Sequence, residues 1–347
     1  MQQIFKDPEH QAHFDRNGWL VVPLLEEAEV KRLYDFYQEL PATDLPDYGF
    51  HVSLDKASME YKEKVMTELK EVIGPRLEKY FTNYRVFTAA YVVKEHNPKG
   101  VVPPHQDWTF VDESKFQSMT VWTALVDTNM DNGCMGVING SHKYWDYLRA
   151  SPSPQCKTPI SDHMFTLFPY LQLKPMKAGE ALIFDNRTIH ASPPNTTEVP
   201  RLAAGIGVTQ ADAELYHHYL LPNKDQTEVE RFKVSMDWFK HYNNGRLSDM
   251  YNNGERPSDT ESVGTMPRVL PEFTADEILD MIKAHPDNQM NVPLVEKMAR
   301  LFNYNMDGTK REEPASNNGS SENGSNGQQP EPTRVGGIRG FIKRIFG

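Results

Sequence analysis

The chain changes texture once along its length. From Glu26 to Leu40 apolar residues recur at helical spacing, and Tyr61 to Phe81 does the same around an interruption at Gly74-Pro75. From Arg85 the period shortens. Runs rich in β-branched and aromatic residues occupy Val86–Val93, Met119–Val126, Cys134–Ile138, Glu180–Phe184 and Leu202–Val208. Turn-forming clusters such as Asn97-Pro98-Lys99-Gly100 and Asp131-Asn132-Gly133 separate them. Many short strands between turns predict a sandwich or barrel, mainly β with flanking helices, and not an alternating βαβ sheet. After about residue 215 the pattern is mixed, with helices expected at Ala275–Ala284 and near Val292–Phe302.

This organisation predicts one folded domain over residues 1–310. Residues 314–337 are Ser, Asn, Gly, Gln, Glu and Pro with almost nothing apolar, so they are expected to form a disordered linker. In the tail, 338–347, Ile338, Phe341, Ile342, Ile345 and Phe346 fall on one helical face, with Arg339, Lys343 and Arg344 off it. Such a basic amphipathic segment is expected to dock on the protein's own surface, on a second subunit or weakly on a membrane. A helix this short is marginal in water by itself.

Composition narrows the classes. With 38% hydrophobic residues in 347, the chain can bury a sizeable core. Lys plus Arg number 37 against 48 Asp plus Glu, a net charge of −11, which argues against nucleic acid as the main partner. No apolar run approaches the roughly 18 residues of a spanning helix. The two cysteines, Cys134 and Cys156, form no CxxC pair. The first residues lack a basic segment followed by an apolar one, so a cytoplasmic protein is expected.

The strongest chemical signal is His105-Gln106-Asp107. Residues i and i+2 of a strand share a face, so this triplet would set an imidazole beside a carboxylate. His190 follows the strand pattern Glu180–Phe184 and precedes Pro193-Pro194, which makes it the candidate third ligand. Two histidines and one carboxylate form the facial triad of non-haem Fe(II) oxygenases, which leaves positions open for a co-substrate and dioxygen. Arg201, at the start of the run Leu202–Val208, would return a guanidinium to the same cavity, where a dicarboxylate needs a bidentate partner. Two other readings use the same residues: a non-catalytic jelly-roll module with a vestigial metal site, and a cupin-like metalloenzyme. Neither needs a buried guanidinium. His142, His163, His217 and His218 are rival ligands without a carboxylate at the same spacing. Tyr91, Trp108 and Phe110 flank the triplet and are read either as substrate-stacking or as core residues.

The sequence also resembles the phytanoyl-CoA dioxygenase family. The resemblance rests on Phe14–Val22, the His-Gln-Asp triplet, Val121–Asp127, Asp131-Asn132-Gly133-Cys134 and Asn139-Gly140-Ser141-His142-Lys143. It rests also on His190 with Ser192, and on Arg201 at its spacing, and it runs from about Phe14 to about Gln210. It implies a double-stranded β-helix (jelly roll) that uses Fe(II) and 2-oxoglutarate. His105, Asp107 and His190 would hold iron, Arg201 would anchor the distal carboxylate of the co-substrate with help from Ser192, and Trp122 would line that pocket. The expected reaction is dioxygen-dependent hydroxylation of a small organic molecule, with Asp107 arguing against halogenation. Nothing after residue 210 is covered by the resemblance.

Overall fold

A computed structural model describes residues 3–41, 49–56, 58–222, 225–306 and 309–311. The expected linker and tail lie outside the described residues. Two compact units separate, Met1–Met290 and Asn291–Gly347.

The first unit opens with three helices. α1 (Pro8–Asn17) starts on Asp7, whose side chain accepts from the Glu9 N–H, and stops at Gly18 with φ 81°. α2 (Glu27–Glu39) begins in a Glu26/Glu29 capping box. α3 (Met59–Leu77) is capped by Ser58 and runs through Gly74-Pro75, where an interruption was expected. A proline in the last turn removes one hydrogen bond only, and the Tyr84 hydroxyl donates to the half-buried Gly74 carbonyl at 3.0 Å.

The strands are β1 (Trp19–Pro23), β2 (Phe50–Val52), β3 (Tyr84–Lys94), β4 (Val102–His105), β5 (Ser118–Ala124), β6 (Gly136–Val137) and β7 (Gln172–Leu173). They continue with β8 (Glu180–Asp185), β9 (His190–Ser192), β10 (Arg201–Gln210), β11 (Tyr216–Leu220), β12 (Glu228–Lys233) and β13 (Ser262–Pro267). A six-stranded antiparallel sheet has the order β1-β8-β5-β10-β3-β2, and a four-stranded one β4-β9-β6-β7. Strands β3, β5, β8 and β10 alternate along the chain with strands of the small sheet, which is the winding of a double-stranded β-helix.

Strand alternation sorts the large sheet into two faces. Tyr91, Val93, Val121, Ile183 and Ile206 point outward and are covered by Leu33 of α2 and Val65, Leu69 and Ile73 of α3. Trp122, Ala124, Leu182, Phe184 and Ala203 point inward toward Val137 of the small sheet.

Beyond residue 210, β11, β12 and β13 form a third antiparallel sheet. With α5 (Trp238–His241) it builds an aromatic cluster in which Phe239 touches Phe87 and Phe110, closing one end of the β-helix. Short α4 (Met164–Leu167), α6 (Asn244–Asn252) and α7 (Ala275–Lys283) complete this unit. In the second unit α8 (Val292–Leu301) is capped by Asn291 and followed by a Tyr304–Lys310 bridge.

Candidate metal centre and anion pocket

His105 and His190 stand directly opposite one another on the antiparallel pair β4–β9, ring centroids 4.1 Å apart. Each ring is oriented through Nδ1, which lies 2.8 Å from the Pro103 carbonyl in His105 and 2.9 Å from the Thr188 carbonyl in His190. Donation from Nδ1 leaves Nε2 with its lone pair available. Both Nε2 atoms approach Asp107 Oδ1, at 4.0 Å and 3.7 Å. The remaining carboxylate oxygen, Oδ2, accepts from Thr120 Oγ1 at 3.0 Å. The ligand atoms of His105, Asp107 and His190 all lie within 4.8 Å of one another, an arrangement that could hold a metal ion. Burial, then the neighbouring His105, pulls the His190 imidazole down to about 4 against the pull of Asp107, so its ring is neutral at pH 7.

One expectation needs correction. Asp107 is not on a strand with His105: β4 ends at His105, and the Asp107 N–H leaves the ladder to donate to the Asn186 carbonyl at 2.9 Å. The carboxylate reaches the histidines through that irregular segment.

On the inner face of the large sheet, Arg201 pairs in register with Lys94. Arg201 is 1% exposed and Lys94 is fully buried. The Arg201 guanidinium lies over the Trp122 ring at 4.9 Å, and its Nη1 donates to the Gly133 carbonyl at 2.7 Å. Among the described residues its Nε and Nη2 are buried without a partner. Gly133 has φ 79°, and a Cβ there would fall 2.6 Å from the Pro193 carbonyl oxygen, so the turn that receives Arg201 admits only glycine. Lys94 Nζ donates to Ser192 Oγ at 2.7 Å and to the Pro193 carbonyl at 2.6 Å. Ser192 is two residues from His190 on β9, so the two side chains leave the same face of that strand, one against Lys94 and the other in the triad. Burial lowers Arg201 to about 10. Burial and then Arg201 hold Lys94 well below its usual range. A buried guanidinium with two donors unpartnered among the described residues, beside a buried lysine amine, forms an anion pocket.

The expected aromatic residues divide. Trp108 and Phe110 are half-buried beside Asp107, Trp108 against His217 at 5.1 Å and Phe110 against Phe87 at 5.2 Å. Tyr91 does not reach the cavity. It lies on the outer face, where its hydroxyl donates to the Leu33 carbonyl at 2.8 Å and its ring packs on Tyr37. Ser192 contacts Lys94, a residue the sequence reading passed over. A lone lysine closing an apolar run reads as a solvated strand end until its register opposite Arg201 is known. His142, His217 and His218 occupy separate hydrogen-bonded positions, on the Asp15 carbonyl, Ser151 and the Thr109 carbonyl.

A jelly roll with two histidines and a carboxylate facing a buried guanidinium defines the class of the molecule. The model of the family Phytanoyl-CoA dioxygenase (PhyH) matches residues 14–203, more than half of the chain, and the chain belongs to that family. Phytanoyl-CoA dioxygenase domain-containing protein 1 of Danio rerio is 31% identical over 121 residues, covering 33% of this chain and 42% of that protein. The peroxisomal phytanoyl-CoA dioxygenase of Homo sapiens is 22% identical over 274 residues, 70% of this chain and 80% of that protein. The chain spans about half the length of several curated relatives, from 42% in Danio rerio to 59% for phytanoyl-CoA dioxygenase 1 of Oryza sativa subsp. japonica. Among solved structures, the non-heme alpha ketoglutarate dependent carbocyclase SnoK from nogalamycin biosynthesis aligns with a TM-score of 0.45 at 21% identity, over 60% of this chain and 86% of that one.

Proposed function

We propose that the protein is an Fe(II)/2-oxoglutarate-dependent dioxygenase that hydroxylates a small organic molecule, releasing succinate and CO2. The observation that carries this reading is Arg201, buried with Nε and Nη2 unpartnered across the cavity from a His-Asp-His cluster. A vestigial site or a cupin-like enzyme gives no reason to bury an unpaired guanidinium; a dicarboxylate does.

The residues fit the groups. His105, Asp107 and His190 would hold the metal, their donor set of two nitrogens and one oxygen suiting Fe(II). Arg201, with Lys94 and Ser192 beside it and Trp122 beneath it, would hold the far carboxylate of 2-oxoglutarate. When bound, the metal and 2-oxoglutarate supply activation of dioxygen. The chain supplies position. Thr120 holds Asp107 to a single free oxygen, the Pro103 and Thr188 carbonyls fix both imidazole tautomers, and Trp122 shields the ion pair from water. Trp108 and Phe110 offer the substrate an apolar wall beside Asp107. Buried Cys134 and Cys156, not joined in a disulfide, support a reducing compartment such as the cytoplasm. Among the described residues no helix is long and apolar enough to cross a membrane.

Anaerobic titration of the protein with Fe(II) and 2-oxoglutarate, followed by visible absorbance, tests the assignment. A charge-transfer band that requires both components and vanishes in His105→Ala is expected, with succinate formed on admission of dioxygen. No band and no succinate across a metabolite panel would remove the reading.

A further inference from the structure

Two members of the triad sit on paired strands; Asp107 does not. Residues 106–117 form no strand, and the position of the carboxylate depends on what grips that segment. Beside the Asn186 carbonyl and Thr120, that grip comes from Arg149, which is 2% exposed. Its Nε donates to the Asp107 carbonyl oxygen at 2.6 Å, its Nη1 reaches the Tyr147 carbonyl, and its Nη2 pairs with Glu113. The Thr109 N–H donates to the Arg149 carbonyl at 3.0 Å, and the Arg149 N–H returns to Thr109 Oγ1 at 3.2 Å. The Tyr147 hydroxyl donates to Gln106 Oε1 at 2.6 Å. Residues on both sides of Asp107 are therefore strapped to the 147–149 segment.

The strap is backed by β11, which lies beyond the family-matched residues. The Tyr216 N–H donates to the Phe110 carbonyl at 2.7 Å, and the Ser151 N–H to the His218 carbonyl at 2.9 Å. Arg231 donates to His218 Nε2 at 3.0 Å, which leaves His218 Nδ1 to donate to the Thr109 carbonyl at 3.1 Å.

We propose that Arg149 is a positioning residue for the metal centre: through the peptide carbonyl of Asp107 it fixes the carboxylate against His105 and His190, with Glu113 as its buried counter-charge. The inference rests on reading the triad as a metal site. One guanidinium fork serves three acceptors at fixed angles, which a lysine ammonium cannot reproduce. Loss of such support behind a metal ligand typically weakens metal affinity by about 10–100-fold.

The test is Mn(II) titration of the full chain without 2-oxoglutarate, with free Mn(II) read by electron paramagnetic resonance and folding by circular dichroism and melting. Arg149→Lys and Glu113→Gln are expected to raise the Mn(II) Kd by about tenfold or more while retaining the native spectrum. Tyr91→Phe, a buried change on the opposite face of the large sheet, is expected to lower the melting temperature without moving that Kd. A folded Glu113→Gln or Arg149→Lys protein with wild-type Mn(II) affinity overturns the proposal, and Glu113→Gln alone decides if the arginine variant does not fold. Wild-type protein that fails to bind Mn(II), or His105→Ala protein that binds it equally well, overturns the metal reading itself and the proposal with it.

Discussion

Among the described residues Arg201 has one hydrogen bond and one aromatic ring for company, and its Nε and Nη2 are spare. Arg201→Lys should therefore raise the 2-oxoglutarate requirement about ten- to a hundredfold, roughly 1.4–3 kcal/mol, read from succinate formation against 2-oxoglutarate concentration. An unchanged requirement would take Arg201 out of the co-substrate pocket. Tyr91→Phe is the contrasting case. It removes a buried hydrogen bond to α2 and should cost about 1 kcal/mol in urea unfolding while leaving that requirement untouched. The sequence made the triad and Arg201 visible because His105, His190 and Arg201 are chemically unusual residues at strand ends and Asp107 stands two residues past one of them. It hid the parity of β3. Lys94 and Tyr91 are three apart and so on opposite faces, but which faces inward follows only from pairing with Arg201. Arg149 was hidden for a different reason: two of its three guanidinium partners are backbone carbonyls, which leave no trace in residue types, and the third, Glu113, lies 36 residues away in sequence.

At the scale of elements, long apolar patterns were legible and short ones only in part. β3, β5, β8 and β10 match the runs read from the sequence, because strands of the large sheet are covered on both faces. In the small sheet, β6 falls inside the run Cys134–Ile138 although only two of its residues pair, whereas β7, also two residues, is below any detectable period. The third sheet was missed altogether, since β11 is Tyr-His-His-Tyr-Leu, nearly all buried yet mostly polar in type. Its burial comes from packing beside α5. The rings of Phe239 touch Phe87 and Phe110 at 5.5 Å and 5.4 Å, so α5 is part of the β-helix's own core. Phe239→Ala should destabilise the protein by about 3–5 kcal/mol, seen as a lower urea midpoint for the single unfolding transition. Separate transitions for the β-helix and the third sheet would contradict that shared core.

Across the whole molecule, burial of uncharged imidazoles sets the acid limit. Burial lowers His51, His142 and His218 to about 4 each, from 6.5. Between pH 6.5 and 4 the unfolded chain protonates at these sites and the folded chain does not, so stability falls as pH drops through that window. Each site accounts for at most about 3 kcal/mol. Urea midpoints should decline steeply from pH 6.5 to 4.5, and less steeply in His142→Gln; a flat profile would show that these rings accept protons without unfolding. The pairing of Lys94 with Arg201 reaches solution in another way. An anion arriving between them would lift Lys94 back toward its usual range, so anion binding is expected to be coupled to proton uptake there. Calorimetry of 2-oxoglutarate binding at one pH should then give heats that differ between phosphate and Tris by the buffers' ionisation enthalpies. In Lys94→Met protein the two buffers should agree, and the dicarboxylate would bind without its accompanying hydrogen ion.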